Sequence, residues 1–459
     1  MEQKFQQQHH QQSWQRADEE QEFEPVRRLN FEHWSEQQQS PAIETQSQGS
    51  GADLVFRPPE WGEESRRLVV AVSNDEAGNA FLDALKGAEE RLGFRFLGTL
   101  ADILAQLEVS GASRADELAD KFAFLAIRPG FDFPVINNVL RHGCQLAANA
   151  IANVDVEGDL PMDYSLQRGV GPNYVLRSSG SHHDAYLKQL KVSSVRSANG
   201  IKIAVVDSGF ETPGTIGGFL DLVDSRNKTE VDKFGHGTAM TSIIADVATG
   251  ADVYSVRASD QGPKVSEAML GVSAASFHFD ADIINLSFGL PLAQTCTACG
   301  STGGVSRVLH RLLRSLSETP TSSGEPPILV AATGNNSRTD GFDAPAEWDF
   351  TVAVGAINSS LDRSSFSNYG TSGHNKYILM PGGEESGGAA TEWIGEATHK
   401  CYGTSPSVAY ASGILALYMA DPTYAGLNRS SFLTQVLGNC KPCNSQNTTE
   451  HGLGYLPYK

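Results

Sequence analysis

I-K-I-A-V-V-D-S-G, residues 201–209, decides the reading of this chain. Residues 201–206 hold a single polar side chain and read as a short strand buried on both faces; an acidic residue and a Ser-Gly turn then close it. The texture recurs downstream as V-Y-S-V at 253–256, D-I-I-N-L-S at 282–287, I-L-V-A-A at 328–332 and T-V-A-V-G at 351–355. Segments of helical character separate these runs. Near-continuous apolar strands alternating with helices indicate an α/β class, with a parallel sheet covered on both faces. Ligands bind beyond the carboxyl ends of the strands in such sheets, which is where the polar motifs of this chain fall.

Asp207 ends the first strand; D-S-G is also an ordinary strand exit, and alone that plainer reading is favoured. His236 stands in Gly235-His236-Gly237-Thr238 ahead of the apolar run A-M-T-S-I-I-A, which reads as a buried helix beginning at the histidine. Flanking glycines let backbone approach closely, and an imidazole there is placed for proton transfer. Asn335 ends I-L-V-A-A-T-G-N, where a side-chain amide serves either as a turn residue or as a donor to an oxyanion. Ser405 precedes Pro406 and an apolar segment running to Ala420. Proline at the first helical position makes Ser405 a natural helix cap; the chemical reading is a nucleophile at the positive end of a helix.

In the chain order Asp, His, Asn, Ser, each at a strand end or helix start, the four residues resemble those of the subtilases, the subtilisin-like serine peptidases. The resemblance covers roughly residues 185–425 and extends beyond the reacting groups. Ser287-Phe288-Gly289 resembles the family's strand whose backbone pairs with substrate. Ala344-Pro345-Ala346, T-V-A-V-G-A and Phe366-Ser367-Asn368-Tyr369-Gly370 are similar to the run that lines the specificity pocket, and Met380-Pro381-Gly382 to the A-P-G turn. The chain departs from the pattern in three places. Pro406 and Ser407 follow the nucleophile where Met and Ala are usual, with Ala409 in place of the later proline. Ser242 replaces a glycine, and A-A-T-G-N-N replaces A-A-G-N, leaving Asn335 rather than Asn336 as the amide donor. The resemblance implies a three-layer αβα subtilisin-like fold and an endopeptidase or processing peptidase. Ser405 would attack, His236 shuttle the proton, Asp207 orient the imidazole, and Asn335 with the Ser405 N–H hold the oxyanion. The competing class is a catalytically weak or inactive peptide-binding or scaffold protein on the same fold. A complete set of reacting groups favours the enzyme.

Upstream the texture changes. Residues 1–64 are rich in Gln, Glu and Ser, include the pair His9 and His10, and bury too little apolar surface to fold, so a disordered tail is expected. A succession of strand and helix patterns at 65–130 reads as a small α+β domain with helices on one sheet face; it starts from L-V-V-A-V at 68–72 and includes a helical stretch at 112–121. Its position parallels the propeptides of subtilases, and an independent regulatory or partner-docking domain is the alternative. Residues 131–184 show no periodicity and read as a connector, leaving 185–459 for the peptidase domain.

Of 459 residues, 54 are Asp or Glu and 35 Lys or Arg, a net charge of −19 with no basic stripe, which argues against nucleic acid as a partner. The longest apolar stretch, 408–420, falls short of a bilayer span and reads as a buried helix, so no membrane is expected. The partner is a protein or peptide substrate. No basic segment followed by an apolar run opens the chain, so a cytoplasmic location is expected unless a signal is missing from the sequence. The sparse cysteines agree with a reducing compartment, so the N-x-S/T triplets carry little weight.

Acyl transfer needs no cofactor. Subtilases often bind calcium, but no ligand set for it can be placed. Four of the six cysteines form two C-x-x-C pairs, Cys296 with Cys299 and Cys440 with Cys443. Two such turns offer four thiolates for one tetrahedral zinc; the long separation weakens the pattern, and disulfides or unlinked thiols are the other readings. Cys144 and Cys401 are expected to be unlinked.

Overall fold

The computed structural model describes residues 66–87, 89, 93–128, 154–164, 175–192, 197–211, 216–227, 229–291, 306–370, 374–396, 398–444 and 448–459. The tail read at 1–64, His9 and His10 included, lies outside the described residues, as do Cys144, Cys296 and Cys299.

The first part runs β1 (Arg66–Ser73), α1 (Glu76–Lys86), β2 (Phe94–Thr99), α2 (Leu100–Gln106), β3 (Asp120–Ile127) and β4 (Val154–Gly158), followed by the two-residue β5 (Asp163–Tyr164). The second runs α3 (His183–Gln189), β6 (Lys202–Asp207), β7 (Gly218–Asp221), α4 (His236–Val247), β8 (Asp252–Arg257), α5 (Val265–Phe277), β9 (Ile283–Leu286), β10 (Phe288–Gly289), α6 (Arg307–Glu318), β11 (Ile328–Ala332), β12 (Val352–Ile357), β13 (Tyr377–Pro381), α7 (Thr404–Ala420) and α8 (Arg429–Leu437).

Seven strands form one sheet in the order β13-β12-β11-β9-β6-β8-β7, each pairing with its neighbour in parallel. Alternate residues of a strand leave it on opposite sides. Ala204 and Val206 of β6 join the core built with α5 and α6, whereas Ile203 and Val205 join the one built with α4, α7 and α8. Both faces are dry, which is why these strands read as unbroken apolar runs. The expected buried helix is α7, with 15 residues buried from Thr404 to Tyr418. Among the described residues no helix is long and apolar enough to cross a membrane.

The smaller sheet has the order β2-β3-β1-β4 and is antiparallel throughout. One face carries Leu68, Val70 and Val72 against Phe81, Leu82 and Leu85 of α1. The other is also covered, which departs from the one-faced domain expected: Val69, Ala71, Phe122 and Phe124 belong to the same core as α5 and α6 of the large domain. The valine and the two phenylalanines each contribute about 1.5–3 kcal/mol when buried. The physical signal was the unbroken L-V-V-A-V, since a half-exposed strand would alternate. The stretch read as helical at 112–121 is a short 3₁₀ turn, Ala112–Glu117, entered through Gly111 at φ 71°, and β3 starts soon after it. The stretch read as a connector contributes β4 and β5.

Acidic side chains at the end of β4 fasten the two domains together. The Glu157 carboxylate accepts from Ser306 Oγ and Arg307 N–H (both 2.6 Å) at the amino end of α6. Asp159 accepts from the Ser266 N–H and Oγ (both 2.8 Å) at the amino end of α5 and pairs with buried Arg67 at 2.9 Å. Negative charge at a helix amino terminus satisfies orphan N–H groups and opposes the helix dipole. Arg311 of α6 pairs back to Asp120 and Asp155 of the small sheet.

Candidate active site

Asp207 is the last residue of β6 and is fully buried. Its Oδ1 accepts from His236 Nδ1 and from the Ser208 N–H, both at 2.7 Å. Burial pushes its carboxyl up; His236 and the Ser208 N–H oppose this, and nearby Asp232 adds to it. His236 opens α4, entered through Gly235 at φ 88°. Gly237 must be glycine: a Cβ there would lie 2.2 Å from the Gly209 carbonyl oxygen, so the turn after β6 packs directly on the first turn of α4.

Asp232 holds that turn. Its Oδ1 accepts from the Gly235 N–H (2.7 Å) and Ser208 Oγ (2.9 Å), its Oδ2 from the Thr238 N–H and Oγ1 (both 2.8 Å). Asp232, Ser208 and Thr238 were missed as supporting residues. The available signal was an acid and a hydroxyl flanking F-G-H-G, a helix-start pattern. With Nδ1 fixed, His236 Nε2 is buried and has no hydrogen-bond partner.

Ser405 sits in the first turn of α7, whose N-cap is Gly403 at φ 140°, so the Ser405 side chain does not cap this helix. The capping alternative therefore fails. Ser405 Oγ instead donates to the Ser287 carbonyl at 2.9 Å, and Ser287 Oγ returns a bond to the Ser405 carbonyl at 3.3 Å. Asn335 follows β11 and Gly334. Its Oδ1 accepts from the Thr404 N–H (2.9 Å) and Thr404 Oγ1 (3.0 Å). A backbone N–H can only donate, which fixes the amide oxygen on that side and turns the Nδ2 hydrogens away from Thr404. The neighbouring Asn336 is exposed, and its N–H is bound by Asn368.

Phe288 and Gly289 pair antiparallel with Tyr164 and Asp163 of the chain's own β5. On the opposite edge Met162 N–H donates to the Pro263 carbonyl (2.8 Å) and Val265 N–H to the Leu160 carbonyl (2.9 Å). Residues 160–164 are thus held as a middle strand between two backbone edges. The Tyr164 ring stacks on His236 at 4.4 Å between centroids, and its hydroxyl donates to the Ser259 carbonyl at 3.1 Å.

Of the cysteines proposed to share zinc, Cys440 and Cys443 are free thiols, which burial pushes up to about 12 and about 11. Cys401 is buried. Among the described residues no group of three or more His, Cys, Asp or Glu side chains is placed to hold a metal. Two neutral thiols are half of a four-thiolate set and do not make a site by themselves.

The model of the subtilase family matches residues 198–436. Subtilisin NAT of Bacillus subtilis subsp. natto is 27% identical over 268 residues, covering 52% of this chain and 61% of that protein. M-protease of Shouchella clausii (strain KSM-K16) is 29% identical over 259 residues, covering 52% and 60%. The chain thus spans about three fifths of the length of these relatives. Among solved structures, the epidermin leader peptide processing serine protease of Staphylococcus aureus superimposes with a TM-score of 0.57 at 16% identity, covering 86% of this chain and 97% of that one, a likeness of fold.

Proposed function

The chain belongs to the subtilase family, and from that we propose that it is a serine endopeptidase or processing peptidase that cleaves peptide bonds through an acyl-enzyme. Ser405 Oγ attacks the carbonyl carbon while His236 Nε2 takes its proton and later delivers it to the leaving amine. Asp207 keeps Nδ1 protonated and stabilises the imidazolium. The Asn335 amide and the Ser405 N–H receive the oxyanion, a donor of this kind being worth ~2.7–4 kcal/mol of barrier. The observation that carries the reading is the buried imidazole, tied by one nitrogen to Asp207 and left without a partner on the other.

The region upstream restrains this site and is its first substrate. Support comes from strand 160–164, which lies along the substrate edge of β10 with Tyr164 against His236, and from the acidic caps that dock the small sheet on α5 and α6. Autoprocessing is expected between about 160 and 200, after which the groove is free for other extended chains. A second partner acting through the small domain is the alternative role for this region.

The test is covalent labelling of the full chain by a fluorophosphonate, with terminal sequencing of any self-cleaved product. Labelling and a cut within 160–200, both absent from Ser405→Ala, are expected. A chain that is neither labelled nor cut would instead be a peptide-binding protein on a peptidase fold.

A further inference from the structure

Gly289 and Gly334 both border the site proposed above. Gly289 belongs to the strand that pairs with the bound segment, and Gly334 adjoins Asn335. On the proposed reading, the side chain of the residue that carries the carbonyl would enter between these two glycines. Behind both glycines is one carboxylate. A Cβ at Gly289 would meet Asp343 Cβ at 2.9 Å and its Oδ2 at 3.5 Å; one at Gly334 would meet Asp343 Oδ2 at 2.1 Å.

Asp343 is 4% exposed, and its Oδ1 has no hydrogen-bond partner. It is tied to the pocket wall through its backbone, whose N–H donates to the Thr333 carbonyl at 3.0 Å. Thr333 Oγ1 is likewise buried and unpartnered. A buried, unsatisfied carboxylate oxygen costs free energy unless something arrives to satisfy it.

Two charged groups face Asp343. Arg338 Nη1 lies 3.9 Å from Oδ1, beyond hydrogen-bond reach, and its charge opposes the effect of burial on Asp343, while its Nε and Nη2 both lie 3.1 Å from exposed Asp340. The other is Asp163 on β5, whose like charge opposes ionisation of Asp343. The chain's own segment thus brings an acid to an acidic pocket, which weakens its hold once cut.

We infer that Asp343 closes the pocket for the side chain preceding the scissile bond and selects a lysine or arginine there, an inference that rests on the peptidase reading above. Burial holds the Asp343 carboxyl up at about 6. Above that value the group is an anion, so the preference for a cation grows as pH rises through about 6 and fades below it.

The experiment compares kcat/KM of the full chain on fluorogenic peptides that differ only at this residue: Lys, Arg, Gln and Leu. Lys and Arg are expected to exceed Leu at least tenfold at pH 8, with the ratio falling by pH 5. Asp343→Asn, close in shape, should cut the Lys to Leu ratio at least tenfold, whereas Asp349→Asn, an exposed acid on Arg314, leaves it unchanged. Fluorophosphonate labelling of Ser405 separates the two readings. A labelled protein whose ratio is one or less, or whose ratio survives Asp343→Asn, overturns the specificity assignment alone. A protein that neither labels nor cleaves overturns the peptidase reading and this inference with it.

Discussion

The two sheets differ in how much of their core they own. The seven-stranded parallel sheet supplies helices for both of its faces, α5 and α6 on one and α4, α7 and α8 on the other. The four-stranded antiparallel sheet owns one face through α1 and lends the other to helices that already serve the large domain. A module of the second kind is held by a contact and can be released from it; a sheet of the first kind can carry a site whose parts must not move. The four residues given roles in the proposed chemistry stand on, or directly after, elements of the first sheet and its helices, and residues 160–164 follow directly from the second sheet.

The sharpest break of this contrast removes chemistry and leaves docking alone. Ser405→Ala and His236→Ala are each expected to lower kcat on a peptide by about 10⁶, as losing either group does in subtilisin, the source of that figure. Circular dichroism should show both variants folded. Asp207→Asn should retain residual turnover at most. Near wild-type rates in Ser405→Ala and His236→Ala together would remove the triad assignment.

Asn335→Ala is next. Loss of one oxyanion donor should cost about 10²–10³ in kcat with little change in KM, read by steady-state kinetics. A rise in KM with kcat unchanged would make Asn335 a binding residue instead.

Asp159→Ala acts on the borrowed face. It removes the cap of α5 and one partner of buried Arg67, which keeps Glu267 at 3.1 Å, so about 3 kcal/mol of docking is expected to go, the low end for a broken buried pair. Measured in the Ser405→Ala background, the small sheet should unfold at lower denaturant while the large domain holds its midpoint. One shared, cooperative transition would show that the two sheets are not separable.

The smallest effect on activity belongs to the cysteines. A zinc shared by Cys296, Cys299, Cys440 and Cys443 predicts about one metal per chain, lost in Cys299→Ser and in Cys443→Ser. No stoichiometric zinc together with four titratable thiols would reject both the metal and the disulfide readings.

What the sequence shows and what it hides follow from the same physics. Asp207, His236, Asn335 and Ser405 are legible because each is a polar residue at a glycine-bounded end of an apolar run. The large sheet is legible because both its faces are dry. Its edge strands, G-F-L-D of β7 and Y-I-L-M-P of β13, escape because the first is short and half-exposed and the second runs into the Met380-Pro381-Gly382 turn. Thr404 and Asp343 escape because what they touch, Asn335 for the first and Gly289 for the second, lies far off in the sequence, whereas Asp232 is marked by the helix-start pattern around F-G-H-G. The five residues at 160–164 escape for another reason: they pair with two edges that no sequence pattern links to them.

On the peptidase reading proposed above, that segment, bonded through its main chain along both sides, also sets the terms on which anything else enters. A groove with two backbone edges reads the shape of its guest before its side chains, and accepts only chain already drawn out straight. A helix or a paired strand must surrender its own hydrogen bonds over about five residues to be admitted, while a loose loop or an unfolded tail has little to give up. With roughly 1–2 kcal/mol of backbone ordering at stake for each residue, the groove discriminates by local stability, and a well-folded neighbour is protected by its fold alone.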